Sequence, residues 1–271
     1  MSRKKILFVS SEMNPYLNES PVAEIARHLP QAIQEKDNEI RILVPRFGII
    51  NERRNRLHEV VRLSGINITI DDNDNPLVIK VASIPEAKMQ VYFLDNEDYF
   101  HRKAVYHNEN DEFFPDNDER TIFFCKGALE TVKKLGWSPD IIHCQGWMTS
   151  LIPLYLKTLY ADEPVFRHSK VVYSIFDNQF GEKLGSDFAR KASLNNIDKK
   201  QMACFEEAGC PELYIGAATH ADAVVKCSQN LDPAVEKALG KMGHKPFLQH
   251  DASKSADDYI SLYDNLLSSK N

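Results

Sequence analysis

Apolar positions along the chain alternate between two rhythms. Lys5–Ser10 is a short β-branched and aromatic run, Ile6-Leu7-Phe8-Val9, of the kind that forms a buried strand. Ser20 then stands ready to cap a helix, and Pro21 suits its first position. Val22, Ile25, Ala26, Leu29 and Ile33 recur at helical spacing and predict its buried stripe, while Pro30 predicts a kink. Glu39–Val44 reads as the second strand. Strand, helix, strand is the βαβ unit of a parallel sheet.

Further along, Val60–Leu63, Ile66–Ile70, Leu77–Ile84 and Gln90–Leu94 are candidate strands, and Asp71–Asn75 is the turn between the second and third of them. That acidic turn lacks the glycine and distal glutamate of a calcium loop and reads as a solvated hairpin tip. Arg102–Asn117 is polar and predicts an irregular surface loop. Asp116 or Asn117 caps a helix carrying Ile122, Cys125, Leu129, Val132 and Leu135, which Gly136 ends. Strands follow at Ile141–Cys144 and Val171–Ile175, with a helix at Trp147–Tyr160 that contains Pro153. From Asp198 helical patterns dominate, with Ala223–Val225 as a last strand. The expected fold is therefore α/β, a doubly wound, Rossmann-like domain. Ligands of such sheets sit beyond the C-terminal strand ends. Three segments are nominated: the Ser10–Pro21 loop, the Gln145–Trp147 turn and Phe176–Phe180.

The composition narrows the function. The chain has 271 residues, 33 Lys+Arg against 39 Asp+Glu, a net charge of −6 and 43% hydrophobic residues. These values exclude a disordered chain and a strongly basic nucleic-acid binder. They predict one large domain with a small appendage, and leave little room for two nucleotide-binding domains. The apolar run after the basic N-terminus is shorter than a signal-peptide core, and no stretch approaches the ~20 apolar residues of a membrane span. Five cysteines without metal-ligand spacing read as reduced thiols, so the expectation is a cytoplasmic protein with no metal and no membrane contact. Neither a GxGxxG fingerprint, a P-loop nor a GxSxG elbow is present, which predicts no dinucleotide cofactor.

The motifs carry a resemblance. Phe8-Val9-Ser10-Ser11-Glu12-Met13-Asn14-Pro15 resembles the opening strand and loop of bacterial glycogen and plant starch synthases, and Val22-Ala23-Glu24-Ile25 to Leu29-Pro30 resembles their first helix. Asp140–Trp147 is similar to the family's His-x-His-Asp-Trp strand end, and Pro153-Leu154-Tyr155-Leu156 to the helix after it. Phe114-Pro115-Asp116-Asn117 and Ala221-Asp222-Ala223-Val224 add weaker matches. The resemblance implies the N-terminal, acceptor-side half of a GT-B glycosyltransferase. That family transfers glucose from ADP-glucose to α-1,4-glucan with retention and without a metal. It implies a synthase-like domain over residues 1–230 and a helical tail over 231–271. In the tail, Tyr259, Leu262, Tyr263, Leu266 and Leu267 form a stripe resembling the family's return helix, expected to pack back on the domain.

At the cleft positions this sequence departs from the family. The family's Lys-x-Gly-Gly loop aligns with Asn18-Glu19-Ser20-Pro21, which replaces a cation and flexible backbone with a carboxylate and a proline. The family's His-Asp becomes Gln145-Gly146, and its donor-side histidine aligns with Phe176, followed by Asp177. His143 and Trp147 match family residues and are candidate sugar contacts, against a plainer role in packing. The expectation is a degenerate domain without catalytic residues, inactive alone, that binds an α-glucan, a sugar nucleotide or a protein partner. The alternative is an active ADP-glucose glucosyltransferase completed by a partner chain.

Overall fold

Ten strands are present among the described residues: β1 (Lys5–Ser10), β2 (Glu39–Pro45), β3 (His58–Glu59), β4 (Ile66–Ile70), β5 (Asn73–Ile84), β6 (Met89–Asp95), β7 (Ile141–Gln145), β8 (Lys170–Ile175), β9 (Ala223–Lys226) and β10 (Phe247–Gln249). The α-helices are α1 (Pro21–Gln34), α2 (Glu97–Phe100), α3 (Asn117–Leu135), α4 (Ile152–Lys157), α5 (Phe188–Ser193), α6 (Lys199–Met202), α7 (Cys210–His220), α8 (Pro233–Gly240) and α9 (Asp257–Ser268). The computed structural model describes residues 3–17, 20–84, 87–177, 180–193, 197–251 and 256–269.

The strand order is β10-β9-β8-β7-β1-β2-β6-β5-β3, with β4 paired to β5. From β10 to β6 every pairing is parallel. β5 runs antiparallel to β6, β3 and β4. After β1 the chain builds outward through β2 and β6, then returns to lay β7, β8 and β9 on the opposite side of β1. The order reverses between β1 and β7, and an open sheet forms its ligand crevice at such a point. Both strands are covered on both faces, which is why Ile6 to Val9 is a continuous apolar run and Ile141, Ile142 and Cys144 flank a buried His143, all without solvent exposure.

Local chemistry explains the flanking elements. Ser20 caps α1 by accepting from the Ala23 N–H at 3.0 Å, and Pro21 follows at the first turn. The helix continues through Pro30 to Gln34, because Ala26, Leu29 and Ile33 bury its stripe and packing outweighs the lost backbone donor. Gly136 ends α3 in the left-handed conformation, φ 61°.

Four expectations need correction. His58–Glu59 rather than Val60–Leu63 pairs with β5, since residues 60–64 close a turn with Leu63 and Ser64 N–H bonded to the Val60 carbonyl. The hairpin tip shrinks to Asp71-Asp72, because Asn73–Asn75 join the ladder and the Asn75 amide donates to the Ile68 carbonyl. The helix expected at Trp147–Tyr160 begins as a 3-10 turn, Trp147–Thr149, and becomes α-helical only at Ile152, with Pro153 in its first turn. The tail is not wholly helical: Phe247–Gln249 forms β10 and extends the sheet in parallel on β9.

Within that tail, α9 buries Tyr259, Leu262, Tyr263 and Leu266. Lys4–Asp264 at 2.8 Å and Lys36–Asp257 at 3.0 Å join it to the residue before β1 and to the turn after α1. No helix among the described residues is long and apolar enough to cross a membrane.

Candidate functional site

The crevice between β1 and β7 is built from backbone first. Ser10 stands opposite Gln145 in the ladder, and the Ser11 N–H donates to the Gln145 carbonyl at 3.1 Å. The chain then turns at Gly146, φ +83°, where any L side chain is strained. A Cβ there would stand 2.2 Å from Ser11 Oγ and 3.4 Å from Val22 Cγ1. The Gly146 carbonyl accepts from the Tyr173 hydroxyl at 3.1 Å and the Thr149 hydroxyl at 2.7 Å, which fixes the turn. Gly146 therefore holds the two strand ends and the start of α1 in close contact, and a side chain there would both strain the backbone and require the Ser11 hydroxyl to move.

Gln145 is fully buried, and neither its side-chain oxygen nor its nitrogen has a hydrogen-bond partner among the described residues. A buried, unpaired amide costs on the order of 1–3 kcal/mol. Native structures carry few such groups, so each one calls for a functional or structural reason.

At the mouth of α1, Ser20 Oγ donates to Glu12 Oε2 at 2.5 Å while accepting from Ala23 N. Glu12 Oε1 also accepts from the Tyr106 hydroxyl at 3.2 Å. Glu24 sits in the first turn and accepts from the Asn14 side-chain amide. Two carboxylates thus face the positive end of the helix dipole, where an external anion would otherwise bind. Asn18 and Glu19, nominated from the sequence, lie outside the described residues. Ser20 and Pro21 are the helix cap and first turn.

The other nominated residues divide. Phe176 follows β8 and is buried, with 1% of its surface exposed. Asp177 is exposed, and its N–H donates to Ser228 Oγ at 2.9 Å. His143 is interior, with Nδ1 2.6 Å from the Tyr263 hydroxyl, Nε2 2.7 Å from Ser174 Oγ, and its ring stacked on Phe8. Burial lowers its pKa to about 3, so it is neutral. Both ring nitrogens are engaged by the protein. Trp147 is 2% exposed and enclosed by Tyr106, Phe113 and Phe180, with ring centroids at 4.9, 6.3 and 4.8 Å. Its indole is a packing anchor within an aromatic cluster.

Tyr106 and Phe113 are the site residues that sequence reasoning missed, while Glu12 and Phe180 lie within the nominated Ser10–Pro21 and Phe176–Phe180 segments. The loop at 102–116 contributes two of the aromatic rings over Trp147, and Phe113 stacks on Phe180 at 4.9 Å. Tyr106 and Phe113 bracket the polar run His107–Glu112, the one signal that this loop folds inward at both ends. Burial and the Glu12 carboxylate push the Tyr106 hydroxyl pKa well up, which keeps it a donor. Among the described residues no cluster of His, Cys, Asp and Glu could hold a metal ion.

The comparisons with known proteins agree with this architecture. A family model described as the starch synthase catalytic domain matches residues 5–250. A glycogen synthase of Pelodictyon phaeoclathratiforme is 44% identical over 180 residues, 65% of this chain and 36% of its own length. A glycogen synthase of Chlorobaculum tepidum is 38% identical over 226 residues, covering 83% of this chain and 46% of its own. The catalytic domain of starch synthase IV from Arabidopsis thaliana, solved with ADP and acarbose, superposes with a TM-score of 0.71. It shares 18% identity and covers 92% of this chain and 51% of its own. The chain thus spans between about a third and a half of the relatives it matches.

Proposed function

The chain belongs to the starch synthase catalytic domain family, and from that premise we propose that it is an acceptor-side wall of a glucosyl-transfer cleft that holds ligand without transferring glucose by itself. The ligand class is an α-glucan, with a protein partner as the other candidate. Residues 1–230 carry the synthase-like domain, and 231–271 are its tail. The Arabidopsis relative was solved with ADP and acarbose, so a nucleotide and an oligosaccharide are the chemistries to test.

The observation that carries this reading is the filled mouth of α1. Glu12 accepts from the Ser20 cap hydroxyl and Glu24 lies in the first turn, so a diphosphate arriving there would meet two negative charges without a neighbouring lysine or arginine in that loop. Gly146 supports it, since no carboxylate can grip a sugar hydroxyl from that position. The Gln145 amide is a neutral hydrogen-bonding group at the end of β7, fully buried in the unliganded chain, so a glucan hydroxyl would pair with it only where the crevice opens to admit one.

The test incubates the purified chain with ADP-glucose and glycogen and follows glucose incorporation and ADP release. The expected result is no turnover, together with saturable binding of maltooligosaccharide. Turnover by the chain alone overturns the reading. Turnover only after adding a second chain of the family that supplies a nucleotide site establishes the alternative, an active transferase completed by a partner.

A further inference from the structure

Apart from the crevice, the loop after β1 borders a concavity of about 330 Å³, whose lining includes Tyr16, Arg54, Asn55, Arg56, Ser83 and Ile84. We propose that this is an anion site that takes the phosphoryl group of a small soluble phosphorylated molecule.

The cations come from one tight turn after β2. The Asn51 side-chain oxygen accepts from the Arg54 N–H at 2.8 Å, and the Arg56 N–H bonds back to the Arg53 carbonyl at 3.3 Å. Arg56 lies at φ 54°, a conformation that non-glycine residues adopt infrequently. The turn sets Arg54 and Arg56 on the same concavity, and among the described residues neither guanidinium has a carboxylate partner. The acid within the turn, Glu52, is already committed to Arg46 and to Lys80, the latter at 2.7 Å. On a chain of net charge −6, two uncompensated guanidinium forks at one concavity focus positive potential locally.

The remaining lining suits an oxoanion on a polar body. Guanidinium forks match phosphate oxygens in pairs. Ser83 is exposed on β5 and provides a hydroxyl donor, while the Asn55 amide nitrogen donates to the Asn51 carbonyl at 2.9 Å and braces the turn. Tyr16 is fixed edge-on against Phe93, with ring centroids 4.8 Å apart, and burial raises its phenol pKa to about 12, so its hydroxyl stays protonated and able to donate. Met13, in the same loop, accepts the Tyr16 and Leu17 N–H groups, and Asn14 N–H donates to the Ala23 carbonyl of α1. A ligand held at Tyr16 therefore touches the loop that carries Glu12 to the crevice. The site is independent of whether the crevice transfers or merely binds.

The test titrates the full chain with inorganic phosphate at constant ionic strength, reading thermal stabilisation and calorimetric heat, with chloride as the blank. Saturable stabilisation is expected for the native chain. It should weaken by at least about tenfold in Arg54→Gln/Arg56→Gln and stay unchanged in the distant Arg167→Gln control. Both arginines are exposed, so the double variant should keep the native melting temperature without ligand. Phosphate binding that is absent, or equal in the double variant, overturns the proposal. Sedimentation with anionic phospholipid vesicles but no response to free phosphate also overturns it, by assigning the arginines to a membrane surface.

Discussion

His143 Nδ1 lies 2.6 Å from the Tyr263 hydroxyl, although the two residues are 120 positions apart. The contact ties the strand beside the crevice to α9, and Ser174 holds the other ring nitrogen from β8. All three side chains are fully buried. Tyr263→Phe keeps the ring packing but leaves a buried imidazole nitrogen unpaired, so it should lower unfolding free energy by about 1–3 kcal/mol. Tyr263→Ala adds a cavity and should lose about 3–5 kcal/mol. Urea unfolding measures both, and amide exchange in α9 should rise more than in β1.

The same histidine sets a pH dependence. Burial lowers its folded pKa from 6.5 to about 3, so the unfolded chain binds more protons between those values. Stability is then full above pH 6.5 and falls as the pH drops toward 3, by up to about 1.4 kcal/mol per pH unit. His250, also lowered by burial, acts in the same direction. Denaturation of the native chain and of His143→Gln at pH 7 and pH 5 should show a smaller loss in the variant. Equal losses would mean that His143 does not titrate in this way.

Gly146 should resist restoration of a family-like carboxylate. Gly146→Asp combines a disfavoured φ with a 2.2 Å clash against Ser11 Oγ, and should destabilise by about 3 kcal/mol or more. Gly146→Ala should cost less than the aspartate but still over about 1 kcal/mol. Ser11→Gly should rescue part of the alanine loss, because it removes the clash and leaves the backbone strain. A double-mutant cycle by chemical denaturation separates the two.

The sheet was readable because buried parallel strands leave short, mostly apolar runs rich in β-branched and aromatic residues, as at Ile6–Val9 and Ile141–Cys144. The cap at Ser20 and the stop at Gly136 were readable because each residue acts within one turn of itself. Long-range partners were not. Nothing near Glu12 in the chain announces Tyr106, and the aromatics bracketing the polar run 107–112 do not say that it is Trp147 they close over. β10 escaped because three residues carry too little periodicity to separate a strand from a coil. At the site, the identities at Gln145 and Gly146 were legible. The steric reason for the glycine emerged only once Ser11 was beside it.

Gln145 offers the test that separates binding from packing. Its amide is buried with neither polar atom paired, so an apolar residue of similar size removes a desolvation penalty. Gln145→Leu should therefore leave stability unchanged or raise it by about 1–2 kcal/mol. If the amide meets glucan hydroxyls, the same variant should bind maltooligosaccharide at least about tenfold more weakly. Gain of stability with loss of ligand is the pattern of a site retained at the expense of the fold. Loss of stability would mean that the amide has a partner within the folded chain, and unchanged affinity would remove Gln145 from the glucan contact. Calorimetric titration and thermal unfolding of one variant preparation decide among these outcomes.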